Sequence, residues 1–301
     1  MKPKIVRVME ENWDFLIILD ACRYDYFSEI YSNFLNGKLE KRMSVGYDTP
    51  HWLKRSFQGY YPEIIYISGN PLINSLNVKI KGLKTEGFKA KDHFYKVIDV
   101  WKFGWNSRLD TVPPWEINKA AIKWFFKYPW KRFIIHYVQP HAPYISPKFQ
   151  IKKKTVQRNI LWPFSQSRIK TLETLMELFA PFFFKLTSKD IWNLYEIVGL
   201  SPKYMRMIKR IHGNSGLKEA YRENLRIVLR YVTQLCSKLL ELKSSAKIIV
   251  TSDHGELLGE GGVYSHYEGL LTYIFPERRR VLSEIPWLIV EGIKLKSNLK
   301  Q

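Results

Sequence analysis

FLIILDACRYD, residues 15–25, sets five apolar residues directly against a carboxylate, Asp20, followed by a cysteine and a charged turn. An unbroken apolar run of that length fits a strand buried on both faces, the strand type of a parallel sheet covered by helices on either side. Five further runs rich in Ile, Val, Phe and Tyr read the same way: 63–68, 95–100, 132–138, 247–252 and 286–290. Four of the six run straight into polar segments, DACRYD, SGNP, QPHAPY and DHGE. In an open α/β sheet the ligand crevice lies beyond the carboxyl ends of the strands, so these segments are expected to meet there. The predicted fold is α/β, with a mostly parallel central sheet sandwiched by helices.

Between the strands lie helical patterns. The clearest is YRENLRIVLRYVTQLCSKLLELK, 221–243, where Leu225, Val228, Leu229, Val232, Leu235, Leu239 and Leu242 recur at helical spacing as one apolar stripe for packing. Residues from about 150 to 215 show no strand pattern and are basic at both ends: Lys152, Lys153, Lys154 and Arg158 at one, Lys203, Arg206, Lys209 and Arg210 at the other. They read as a helical, cap-like insertion into a single domain spanning 1–301.

Composition narrows the partners. With 46% hydrophobic and 15% aromatic residues, the 301-residue chain can bury a large core. Its 48 Lys and Arg against 28 Asp and Glu give a formal charge of +20, which favours phosphorylated or sulfated substrates, nucleic acid or an anionic membrane surface. The basic insertion reads first as a solvated helical cap, with contact to an anionic polymer or membrane surface as the alternative. Two cysteines, Cys22 and Cys236, suggest neither a disulfide framework nor a cysteine zinc site. The apolar run near the start is too short for a signal core, and no stretch reaches the roughly 18 residues of a spanning helix. The expected address is therefore the cytoplasm, with a peripheral place at the membrane surface left open.

Asp20 has no packing reason to close an apolar strand; it is either a cation ligand or the N-cap of the next helix. Asp253 and His254, side by side at another strand end and followed by Gly255, offer one oxygen and one nitrogen to a metal. In HYVQPHAPY, His136 alternates with apolar neighbours and reads as a satisfied core or supporting histidine, with Gln139 beside it. His141, held between two prolines, is the better ligand or substrate-binding candidate, and His266 in GGVYSHYEG is a further imidazole. Arg23 and Asp25 read as a salt-bridged turn. MSVGYDTPHWL supplies hydroxyls at Ser44 and Thr49 and an imidazole at His51. Thr49 precedes a proline at a helix start, where it is either a nucleophile facing an anion or an ordinary cap.

The ordered set ILDACRYD, SVGYDTPHWL, HYVQPHAPY, TSDHGE and the late His266 resembles the alkaline phosphatase and sulfatase-like superfamily, from about Leu16 to Val290. The resemblance implies an alkaline-phosphatase-like sheet and one or two divalent ions, zinc or manganese before calcium or magnesium. It implies that Asp20, Thr49, Asp253 and His254 surround a metal with Thr49 as nucleophile. His266 joins the metal set, and His141 binds a second metal or the substrate; His136, Gln139 and Arg23 stand behind them. Sulfatases of this kind use a convertible Cys or Ser before a proline, and a second Asp beside the first. This chain has Thr49-Pro50-His51-Trp52-Leu53 and Ala21. The expected activity is metal-dependent hydrolysis or transfer of a phosphate ester. The alternatives are sulfate-ester hydrolysis and, without catalysis, binding of nucleic acid or anionic membrane.

Overall fold

The computed structural model describes residues 3–76, 87–151, 203–260, 263–266, 273 and 275–293. Strand β1 (Phe15–Leu19) lies near the middle of a seven-stranded sheet, between β5 (Arg132–Tyr137) and β6 (Ile248–Thr251). Beyond β5 come β3 (Tyr61–Ser68) and β4 (Phe94–Asp99); beyond β6 come β9 (Glu284–Ile293) and, at the edge, β2 (Leu35–Met43). β6, β1, β5, β3 and β4 pair in parallel, and only β9 runs against its neighbours. The expected mostly parallel sheet is present.

Side-chain alternation along β1 shows why the run is apolar throughout. Phe15, Ile17 and Leu19 face one core with Phe125 of α4 (Pro114–Lys127) and Leu225, Val228, Leu229 and Val232 of α5 (Lys203–Leu242). Leu16 and Ile18 face the other with Trp52 and Leu53 of α2 (Thr49–Ser56), Tyr66, Ile134 and Trp287. Each fully buried aliphatic or aromatic chain contributes about 1.5–3 kcal/mol, so both faces must be covered for the strand to be stable.

Two elements depart from the expected pattern. β2, LNGKLEKRM, carries charges on its solvent side and so lacks an apolar run; its pairing with β9 shows a register shift at Asn36/Gly37. A Cβ on Gly37 would lie 2.1 Å from the Ile289 carbonyl oxygen, so the strand crossing admits only glycine there. The helix expected from Tyr221 begins at Lys203 and passes through Gly213, whose φ of 70° and ψ of −174° separate two helical segments. Most of the predicted insertion, 152–202 with Lys152, Lys153, Lys154 and Arg158, lies outside the described residues. Its second basic end forms the first turns of α5.

Candidate metal and phosphoryl-transfer site

The parallel strands β1, β3, β5 and β6 deliver Asp20, Asn70, His136 and Asp253 to one end of the sheet. Asp20 is buried, and its Oδ2 accepts a 2.8 Å hydrogen bond from Asn70 Nδ2. Its Oδ1 has no hydrogen-bonding partner. It does not cap α1 (Tyr24–Ile30), whose N-cap position is Arg23. The next residue, Ala21, holds a left-handed φ of 56°, which costs a non-glycine residue roughly 1–2 kcal/mol. In that conformation its N–H donates to Asp253 Oδ1 at 3.1 Å.

Asp253 and His254 are fully buried. Asp253 Oδ1 accepts from the N–H groups of Ala21 and His254, and Oδ2 accepts from Thr49 Oγ1 at 2.7 Å. His254 Nδ1 lies 2.8 Å from the Gly255 carbonyl, which can only accept, so Nδ1 carries the proton and Nε2 keeps a lone pair. Nε2 lies 3.3 Å from Thr49 Oγ1, 3.4 Å from Asp253 Oδ2 and 3.8 Å from Asp20 Oδ1. Thr49 is free for this contact because Asp48 takes the cap of α2, accepting from the His51 N–H at 2.9 Å. His51 pairs with Asp48, and the Ser44 hydroxyl donates to the Asp253 carbonyl oxygen.

His136, expected as a satisfied core histidine, is buried with Nδ1 on the Tyr66 hydroxyl at 2.8 Å, but its Nε2 has no hydrogen-bonding partner. That nitrogen lies 3.9 Å from Asp253 Oδ2 and belongs with Asp20 and Asp253 to one group of convergent donors. Burial holds the His136 pKa down at about 4, so it is a neutral donor. Burial and the neighbouring Asp253 push Asp20 well above the usual carboxylate range. Asp253 is also raised by burial, but His254, His136 and the Thr49 hydrogen bond outweigh this and hold it low. Donors around a tetrahedral zinc at 2.0–2.1 Å stand about 3.3 Å apart, close to the spacings around His254 Nε2. Two buried carboxylates, one with an orphaned oxygen, beside an orphaned imidazole nitrogen fit a divalent cation.

A second group comprises His141, Glu256 and His266. His266 Nδ1 lies 3.2 Å from both Glu256 carboxylate oxygens. Burial lowers its pKa, but Glu256 outweighs this and lifts it to about 9. The His266 ring stands 5.0 Å from His141 and 4.4 Å from His254, centroid to centroid, so the two groups adjoin. His266 thus shares a donor group with His141 and Glu256 while its ring stands still closer to that of His254. Glu256, absent from the expected set, is buried three residues after Asp253; a carboxylate at the end of DHGE, just before Leu257 and Leu258, was the available signal. Arg23 forms ion pairs with Asp25 and Glu260, both at 2.6 Å, and donates to the Glu256 carbonyl at 3.2 Å. Gln139 donates to the Val112 carbonyl and supports the turn.

No family model and no curated protein matches the sequence. Similar solved structures include the soluble domain of lipooligosaccharide phosphoethanolamine transferase A from Neisseria meningitidis, at 13% identity and a TM-score of 0.46 over 96% of this chain and 76% of that one. The C-terminal periplasmic domain of phosphoethanolamine transferase EptC from Campylobacter jejuni gives 14% and 0.46 over 95% and 82%. That of EcEptC from Escherichia coli, in complex with Zn, gives 11% and 0.43 over 94% and 74%. At such identities and scores the likeness assigns no activity to this chain. The cytoplasmic address expected from the sequence does not stand: two of these three similar structures are periplasmic domains. No helix among the described residues is long and apolar enough to cross a membrane, which fixes no compartment.

Proposed function

We propose that the chain is a metal-dependent hydrolase or transferase of phosphate esters with Thr49 as nucleophile. The observation that carries this reading is the placement of Thr49 Oγ1 at the head of α2, 2.7 Å from Asp253 Oδ2 and 3.3 Å from His254 Nε2, the nitrogen that stands 3.8 Å from the orphaned oxygen of Asp20. Asp20, Thr49, Asp253 and His254, with His136 adjoining, would hold one cation, and His141, Glu256 and His266 a second. The mixed oxygen and nitrogen donors suit zinc or manganese better than calcium or magnesium. When bound, such ions neutralise non-bridging oxygens and lower the pKa of a coordinated hydroxyl.

Thr49 Oγ1 forms the new bond to phosphorus as the bond to the leaving alkoxide breaks. Asp253 Oδ2 is the acceptor for the hydroxyl proton, and solvent protonates the leaving oxygen. Water or an acceptor alcohol then displaces Thr49 from the same phosphorus, with loss of its own proton, and restores the hydroxyl. Sulfate esters would need the convertible side chain that position 49 lacks.

The test is turnover of chromogenic phosphate mono- and diesters, phosphonate esters and sulfates with added zinc or manganese, together with elemental analysis of the purified chain. T49A is expected to lower kcat by at least about a thousandfold while retaining metal. Full turnover in T49A would remove Thr49 from its role. Absence of metal and of turnover, with salt-sensitive binding to nucleic acid or anionic vesicles that survives loss of Asp253 and His254, would leave a binding protein instead.

A further inference from the structure

QPHAPYI, 139–145, carries His141 through a turn with two prolines, Pro140 and Pro143, which bring carbonyl oxygens but no N–H donors. Its backbone cannot hold itself by an ordinary ladder, and buried carbonyls left without donors are costly. One side chain from a distant helix meets this need. Asn224 of α5 is fully buried, and its Nδ2 donates to the carbonyls of Pro140 at 3.0 Å, His141 at 3.1 Å and Pro143 at 3.3 Å. Its Oδ1 accepts the Ile145 N–H at 3.0 Å. Only a carboxamide places two donor hydrogens and an acceptor on one short stem.

The turn is joined to the first cation group as well, because the His141 N–H donates to the Asp20 carbonyl at 3.2 Å. One turn earlier on α5, the Tyr221 hydroxyl donates to the Ala21 carbonyl at 2.7 Å and accepts the Arg23 N–H at 2.9 Å. The same face of α5 thus grips both the turn after β1 and the turn after β5.

We propose that Asn224 is a positioning residue that fixes His141 against Glu256 and His266, so that the second cation is bound only while the amide holds the turn. This rests on the two-cation reading above. His141 Nδ1 lies 2.5 Å from the Ala142 carbonyl, so the ring's free nitrogen follows the path of the very backbone that Asn224 clamps.

The experiment is calorimetric titration of the metal-free full chain with zinc, and in parallel with manganese, alongside elemental analysis. N224D keeps size and shape but turns a carboxylate toward three carbonyls; N224S is smaller and keeps one donor, covering the case in which N224D does not fold. V228A, a cavity in the same helix with no polar contact to the turn, serves as the control for lost stability. Wild type and V228A are expected to take up two equivalents. N224D is expected to retain the first and bind the second at least tenfold more weakly, and N224S to show a smaller loss in the same site. KM for a phosphate ester should rise more than kcat falls. Either Asn224 variant binding two equivalents with wild-type affinity overturns this inference and leaves the proposed function standing. V228A losing the second equivalent in proportion to its stability also overturns it. A wild-type chain that binds fewer than two overturns the second cation group and this inference together.

Discussion

Asp20 and Asp253 place two carboxylates against one histidine in a dry interior, and only one of them has its oxygens fully bonded. A carboxyl whose folded pKa lies above its unfolded value makes the folded state bind more protons, so stability falls as pH rises above about 4. With Asp20 raised by burial and Asp253, its own contribution to the stability of the metal-free protein should fall across that range, against the opposite slope of His136 up to about pH 6.5, and bound metal should reverse the loss. D20N removes the Asp20 share of the slope and leaves those of His136 and His266, and the chelated variant should be on the order of 1–3 kcal/mol more stable than wild type at pH 7. Urea unfolding of the chelated proteins from pH 5 to 8 measures this, and a slope in D20N equal to that of wild type would show that Asp20 is not the proton-binding group. Asp20, Asp253, His254 and Thr49 were legible because each sits where an apolar run or a helix begins or ends. His136 was legible only as a core or supporting histidine, and Glu256 was not. The alternation that buries His136 also describes a core histidine, and only the fold shows its Nε2 left over. Glu256 gains its meaning from His141 and His266, which the sequence alone does not bring to it.

Elements hold these residues through a few close crossings. Gly255 donates its N–H to the Leu282 carbonyl at 2.7 Å, and a Cβ there would lie 2.1 Å from the carbonyl oxygen of Val281, in α6 (Pro276–Ser283). G255A must push the DHGE turn off α6. It should cost about 1–3 kcal/mol and, unlike an equally destabilising core variant, weaken metal uptake; paired urea and calorimetric titrations separate the two effects. L229A, a cavity at a fully buried position of α5, should cost about 2–5 kcal/mol with metal stoichiometry unchanged. The stripe containing Leu229 was readable from its period, whereas the start of α5 was not, because the basic residues 203–215 carry no comparable stripe. β2 escaped for a related reason. An edge strand needs only one partner, here β9, and its Lys and Glu side chains, suited to solvent, erase the apolar signal.

Across the whole molecule the excess of positive charge is partly laid over aromatic faces rather than neutralised. Lys96 and Lys127 stand 5.4 and 5.3 Å from the Trp124 ring centre, and Lys131 stands 4.0 Å from that of Tyr95. None of the three has a salt bridge among the described residues. Such contacts stabilise an ammonium without cancelling its field, so the formal +20 acts at a distance on an anionic substrate. Between 0.1 and 1 M salt the Debye length shrinks from about 10 Å to about 3 Å, which screens the remote charges while leaving contacts inside the site nearly intact. For the proposed reaction, kcat/KM should therefore fall by roughly tenfold over that range with kcat almost constant. A phosphate monoester, a dianion at pH 8, should lose more than a diester of one charge. If the two lose equally, the attraction comes from the few groups touching the phosphate, and the surface charge of the chain serves something other than substrate capture.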